Sequence, residues 1–201
     1  MDPLDLQTDA DHASPEFCPV GGERRLTDGE TALARSVFGD AIDYRKVTIQ
    51  RRKWAFFQPR HVTMAPRGHL HFHPKGDSYC EDFGTAPWQR QGLFIHEMTH
   101  VWQTQSKGEW YLPLRRHPWC RYDYALKPGR SLEHYGIEQQ AEIVKHAFLL
   151  RRGINLAGVS DASAYDLLVR FPEANFPPDG FTGRLSMEPV PDGQPAFVGP
   201  E

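Results

Sequence analysis

In the stretch Phe94-Ile95-His96-Glu97-Met98-Thr99-His100-Val101-Trp102, two histidines stand four residues apart, with a glutamate directly after the first. On an α-helix, positions i and i+4 share one face, so both imidazoles can point at a single place. Two neutral imidazoles at that separation suit a tetrahedral Zn²⁺. Glu97, next to His96, can reach a water held on such an ion, take its proton and pass it to a leaving amine. The chemistry this predicts is peptide-bond hydrolysis by a zinc-activated water, with His96 and His100 as metal ligands and Glu97 as general base.

A catalytic zinc needs a third protein ligand and keeps its fourth position for water. Glu138 and Glu142 lie one turn apart in Tyr135-Gly136-Ile137-Glu138-Gln139-Gln140-Ala141-Glu142-Ile143-Val144. Glu138 can be that ligand. Glu142 can accept a hydrogen bond from the far nitrogen of a zinc-bound histidine and fix its tautomer. The two glutamates can also exchange these roles. Two tyrosines, Tyr124 and Tyr135, are candidates to donate a hydrogen bond to the oxyanion formed during hydrolysis.

Two helices must carry these groups. Leu93, Phe94, Ile95, Met98, Val101 and Trp102 surround the histidines, so the first helix reads as buried on most sides, from about Pro87 to Gln105, with Gly108 marking its end. The second runs to about Arg151 and is stopped by Gly153, with an apolar stripe of Ile137, Ala141, Val144 and Phe148. Upstream, Thr27 and Glu30 form a capping box for a packing helix that presents Leu33, Ala34, Val37 and Phe38 and ends at Gly39. Val47 and Ile49 alternate with polar residues as in a strand, and the Arg51-Arg52-Lys53 run after it reads as a solvated strand end. Residues 62–73 read as a β-hairpin with Leu70 and Phe72 on one face and His69, His71 and His73 on the polar other; it is a candidate to pair with extended substrate. Residues 108–130 are aromatic and irregular, and Asp161 to Val169 suggests a short helix.

The chain of 201 residues suits one domain with loose ends: a flexible leader over 1–22, a folded domain over 23–171 and a Pro/Gly-rich tail over 172–201. A net charge of −3 points to no nucleic-acid partner, and no apolar run is long enough to span a membrane. The acidic N-terminus lacks the apolar core of a secretory signal, so synthesis in the cytoplasm is expected. Cys18, Cys80 and Cys120 are odd in number and widely spaced, which suggests neither a disulfide framework nor a cysteine-based zinc site.

His-Glu-x-x-His followed by a helix bearing Glu-x-x-Ala-Glu resembles the gluzincin branch of zinc metallopeptidases. That resemblance implies His96, His100 and Glu138 as ligands, Glu97 as base, and Glu142 supporting a histidine where the branch more often has Asp. More closely, Leu26-Thr27 through Phe38-Gly39-Asp40-Ala41-Ile42-Asp43-Tyr44, together with the two helices, resembles bacterial Vgr-related proteins. Those are small domains similar to the metallopeptidase effector of type VI secretion spike proteins; the resemblance covers about residues 22–152. It implies an α+β zincin-like fold, a small antiparallel sheet or hairpin beside the zinc helix and the second ligand helix. It also implies a peptide or protein substrate, export by a type VI-like route as an antibacterial toxin, and a secretion-spike or immunity partner. The rival expectations are a housekeeping peptidase inside the producing cell and a zinc-stabilised binding module without turnover.

Overall fold

A computed structural model describes residues 17–115, 120–159 and 162–171. In chain order its elements are β1 (Glu23–Arg25), α1 (Asp28–Phe38), β2 (Thr48–Gln50), β3 (Leu70–His71), α2 (Trp88–Lys107), α3 (Tyr111–Arg115), α4 (Ile137–Arg151) and α5 (Ala162–Leu168). The architecture is α+β: a small three-stranded sheet and several helices, with α2 packed chiefly on α4.

α1 begins as its sequence demands. The Thr27 side chain accepts from the Glu30 amide, and the Glu30 carboxylate reaches back to the Thr27 amide. Leu33, Ala34, Val37 and Phe38 are buried. Glu30 serves a second structure as well. It receives both guanidinium nitrogens of Arg24 at 2.7 and 2.8 Å and the Phe83 amide at 3.0 Å. This clamp ties β1, α1 and the 79–84 loop together. The loop crosses so close to α1 that a Cβ on Gly84 would sit 2.5 Å from the Gly29 backbone, which only glycine allows.

The sheet differs from the antiparallel hairpin expected. β1 pairs antiparallel with β2, but β2 pairs parallel with β3, so the sheet is mixed. The hairpin partner of β3 survives as an isolated antiparallel bridge between Met64 and His71. β3 therefore has neighbours on both sides, and the 62–65 segment lies outside it. A second correction follows. Leu70 and Phe72 face the core, yet His71 is buried rather than solvated, because this short strand is covered by the 52–58 segment. Burial, with His69 and Arg52 nearby, pushes the His71 imidazole down to about 4.

That shift has a sign. The unfolded chain takes up a proton near the ordinary value of 6.5, while the folded chain resists until about 4. Stability is complete above about 6.5 and is lost as pH falls through this window, by on the order of 3 kcal/mol for the full shift. Urea midpoints measured at pH 7 and pH 4.5 should separate for wild type and separate less for His71→Asn. Equal pH sensitivity in the two proteins would assign the acid lability elsewhere.

α2 is buried almost throughout its middle: Phe94, Ile95, Met98 and Val101 are fully enclosed. Phe72, Phe83 and Phe94 form a stack, with successive centroids 5.3 Å apart, that joins sheet, loop and α2. Pro87 precedes the first turn, and Gly108, at φ +99°, ends the helix. Gly92 faces Leu149 and Lys145 of α4, so the two helices approach closely at that turn. The 108–130 stretch contains α3. Residues 1–16 of the expected leader and the whole expected tail lie outside the described residues, whereas Cys18 is buried and Gly21 and Gly22 exchange backbone hydrogen bonds with Arg51.

Candidate metal centre

The contact between α2 and α4 brings His96, His100 and Glu138 together, with one ligand atom from each lying within 4.8 Å of the others. Both imidazoles turn Nε2 toward the same oxygen: Glu138 Oε2 is 3.4 Å from His96 Nε2 and 3.1 Å from His100 Nε2. A tetrahedral ion with bonds of about 2.0–2.1 Å has ligand–ligand edges of about 3.3 Å, so these separations match two edges of such a site. All three side chains are buried.

The opposite ring nitrogens are held as well. His96 Nδ1 lies 2.9 Å from Glu142 Oε1, and His100 Nδ1 lies 2.8 Å from Gln103 Oε1. Gln103 presents that oxygen because its amide nitrogen donates to the Ile137 carbonyl and to Gln140 Oε1, both at 3.0 Å. Gln140 donates in turn to the Tyr135 carbonyl. Orienting partners on Nδ1 with Nε2 left to converge is the arrangement metal-ligating histidines adopt. Sequence reasoning placed Glu142 near the site but missed Gln103. Its signal was a polar side chain one turn beyond His100 on a helix too apolar to carry it idly.

The electrostatics fit a cation. Burial opposes charge on His96, but contacts with Glu138 and Glu142 and the nearby Glu97 raise its imidazole to about 9. Burial also opposes ionisation of Glu142, yet His96 and Lys145 hold its carboxyl down to about 2. Glu97 is buried beside these groups, and its Oε2 has no hydrogen-bond partner among the described residues. A carboxylate hidden without a partner is costly unless the site supplies one. The donor set of two imidazoles and a carboxylate, within tetrahedral spacing, fits zinc.

The two tyrosines sit elsewhere. Tyr124 bonds through its hydroxyl to His146 Nδ1 and, at 2.8 Å, to the Tyr165 hydroxyl. His146 Nε2 lies 3.5 Å from Glu142, so Tyr124 reaches the cluster only through two intermediaries. Tyr135 is buried and its hydroxyl accepts from the Lys127 amide. The tyrosine beside the cluster is Tyr122, whose ring stacks on His96 at 6.4 Å between centroids, a contact that sequence spacing did not single out.

Among known proteins no family model matches. The chain is 40% identical over 161 residues to the type VI secretion system spike protein VgrG2b of Pseudomonas aeruginosa. That match takes in 74% of this chain but spans only 15% of the spike protein's length. The solved structure of the effector domain of Pseudomonas aeruginosa VgrG2b superposes with a TM-score of 0.57 at 35% identity, over 80% of this chain and 88% of that domain. With most of that domain matched and more than a third of the aligned residues identical, the chain belongs to the family of the VgrG2b effector domain.

Proposed function

We propose that the chain is a zinc-dependent peptidase of the zincin type, with a gluzincin ligand set, acting as a type VI secretion-associated effector. The observation that carries this reading is the convergence of His96 Nε2, His100 Nε2 and Glu138 Oε2 beside Glu97, whose Oε2 has no hydrogen-bond partner among the described residues. His96, His100 and Glu138 would hold the zinc; Glu142 and Gln103 would orient the imidazoles. When bound, zinc supplies a Lewis acid that makes water acidic and polarises a carbonyl. Glu97 accepts a proton from the attacking water and returns it to the leaving amine. Kinship with the effector domain of a spike protein supports a protein target in another cell. The proposed folded unit spans residues 23–171, with residues 17–22 docked on it through buried Cys18 and the backbone bonds of Gly21 and Gly22 to Arg51.

A second reading, a metal-stabilised binding module without turnover, has one observation in its favour. His100 and Glu138 are each only 1% exposed, and so deep a site can serve structure alone. One experiment separates the two. Zinc content and hydrolysis of a quenched-fluorescent peptide mixture are measured for wild type, His100→Ala, Glu138→Ala and Glu142→Ala. Wild type should hold about one zinc and cleave, the first two variants should lose both, and Glu142→Ala should bind zinc about 10–100-fold more weakly. Zinc without cleavage would establish the binding module; no zinc after reconstitution would remove both readings.

A further inference from the structure

A basic recess lined by none of the candidate metal ligands opens elsewhere on the molecule. Gln50, Arg52, Lys53, Trp54, Arg67, His69, His71 and Glu109 enclose a cavity of about 480 Å³ between the end of β2, β3 and the end of α2. Three permanent cations face one carboxylate there. Lys53 donates to the Phe56 carbonyl, and neither Lys53 nor Arg67 makes an ion pair among the described residues.

Arg67 is preset for an oxyanion. Its guanidinium lies over Trp54 at 5.3 Å and over Trp110 at 4.4 Å, so aromatic rings hold the group while its N–H donors stay available. On the cavity wall, His71 is 94% buried, and its Nδ1 has no hydrogen-bond partner among the described residues. Just beyond the recess, Phe56 and Phe57 stand 89% and 65% exposed, edge to face at 5.2 Å. Arginine and tryptophan around a recess with an apolar rim are the residue types that dominate protein–protein binding energy.

We propose that this recess docks an acidic segment of a partner protein, its Asp or Glu side chains entering between Arg52, Lys53 and Arg67 while its apolar residues cover Phe56 and Phe57. Charge complementarity selects a polyanion, and shape selects a polypeptide. The recess is a concavity rather than a plane, which suits the side chains of a polypeptide better than a flat lipid surface. The cations form one basin with Glu109 inside it and Glu23 on Arg52, rather than the stripe that tracks a phosphate backbone. The surface is independent of hydrolysis at the metal centre.

The probe is acetylated hexaglutamate, titrated into the full chain and followed by indole N–H shifts and by fluorescence anisotropy of a labelled copy. Binding should move the Trp54 and Trp110 indole signals, weaken with salt, and fall about tenfold or more in each of Arg67→Glu and Lys53→Glu, with zinc content unchanged. If either variant fails to fold, the wild-type indole shifts and their salt dependence decide alone. Hexaglutamate that leaves both indoles unmoved would overturn the proposal. So would inorganic phosphate or phosphatidylglycerol vesicles binding where the peptide does not.

Discussion

A Glu97→Gln protein is expected to keep its zinc and its fold while peptide hydrolysis falls by about 10²–10⁴-fold. The substitution preserves volume and a carbonyl oxygen and removes only the basic charge. Glu97 lies outside the His96, His100 and Glu138 set, so metal content should match wild type within error. Its Oε2 is buried beside the cluster and has no hydrogen-bond partner among the described residues. Turnover with matched zinc loading, measured on one peptide across pH 5 to 9, gives the result directly. A Glu97→Gln protein that hydrolyses at the wild-type rate would strip Glu97 of the base role and leave the metal centre in search of another.

The second large effect is on stability. Arg24→Met should destabilise the protein by about 3–5 kcal/mol, because it leaves the Glu30 carboxylate enclosed without its cation. The two side chains are 3% and 0% exposed, so water cannot substitute. Glu30 would still cap α1 and hold the Phe83 amide, but as a buried unpaired charge. For a domain of this size the loss corresponds to roughly 10 °C in melting temperature. The double variant Arg24→Met with Glu30→Gln should recover part of it, since no net charge then stays buried. Thermal and urea melts of the three proteins give the test; a cost under about 1 kcal/mol for the single variant would mean that the pair is no clamp.

The helices that carry the candidate ligands were the legible part of the sequence, because their information is local. The four-residue histidine spacing, the apolar surround of α2, the capping box of α1 and the glycines after each helix all act within a few residues. What escaped depends on distant partners. β1 is Glu-Arg-Arg, with no strand signature, and exists because β2 pairs with it and Glu30 neutralises Arg24. β3 reads as half a hairpin, yet its parallel partner lies some twenty residues upstream and its polar face is roofed over, which no alternation pattern reports. Gln103 escaped because a helical glutamine looks ordinary until α4 presents Ile137 and Gln140 to it. Tyr122 approaches His96 from the irregular stretch, where periodicity offers no guide.

The ligands' distribution over two helices has one more consequence. His96 and His100 belong to α2 and Glu138 to α4, and these are the two helices most extensively packed together. An ion seated there is therefore a clasp across the core, absent from the unfolded chain. By mass action each tenfold rise in free ion above its dissociation constant adds about 1.4 kcal/mol to the folded state. On the proposed metal reading, the chain's resistance to unfolding would be set in part by its surroundings, firmest in a metal-replete compartment and loosest where metal is withheld.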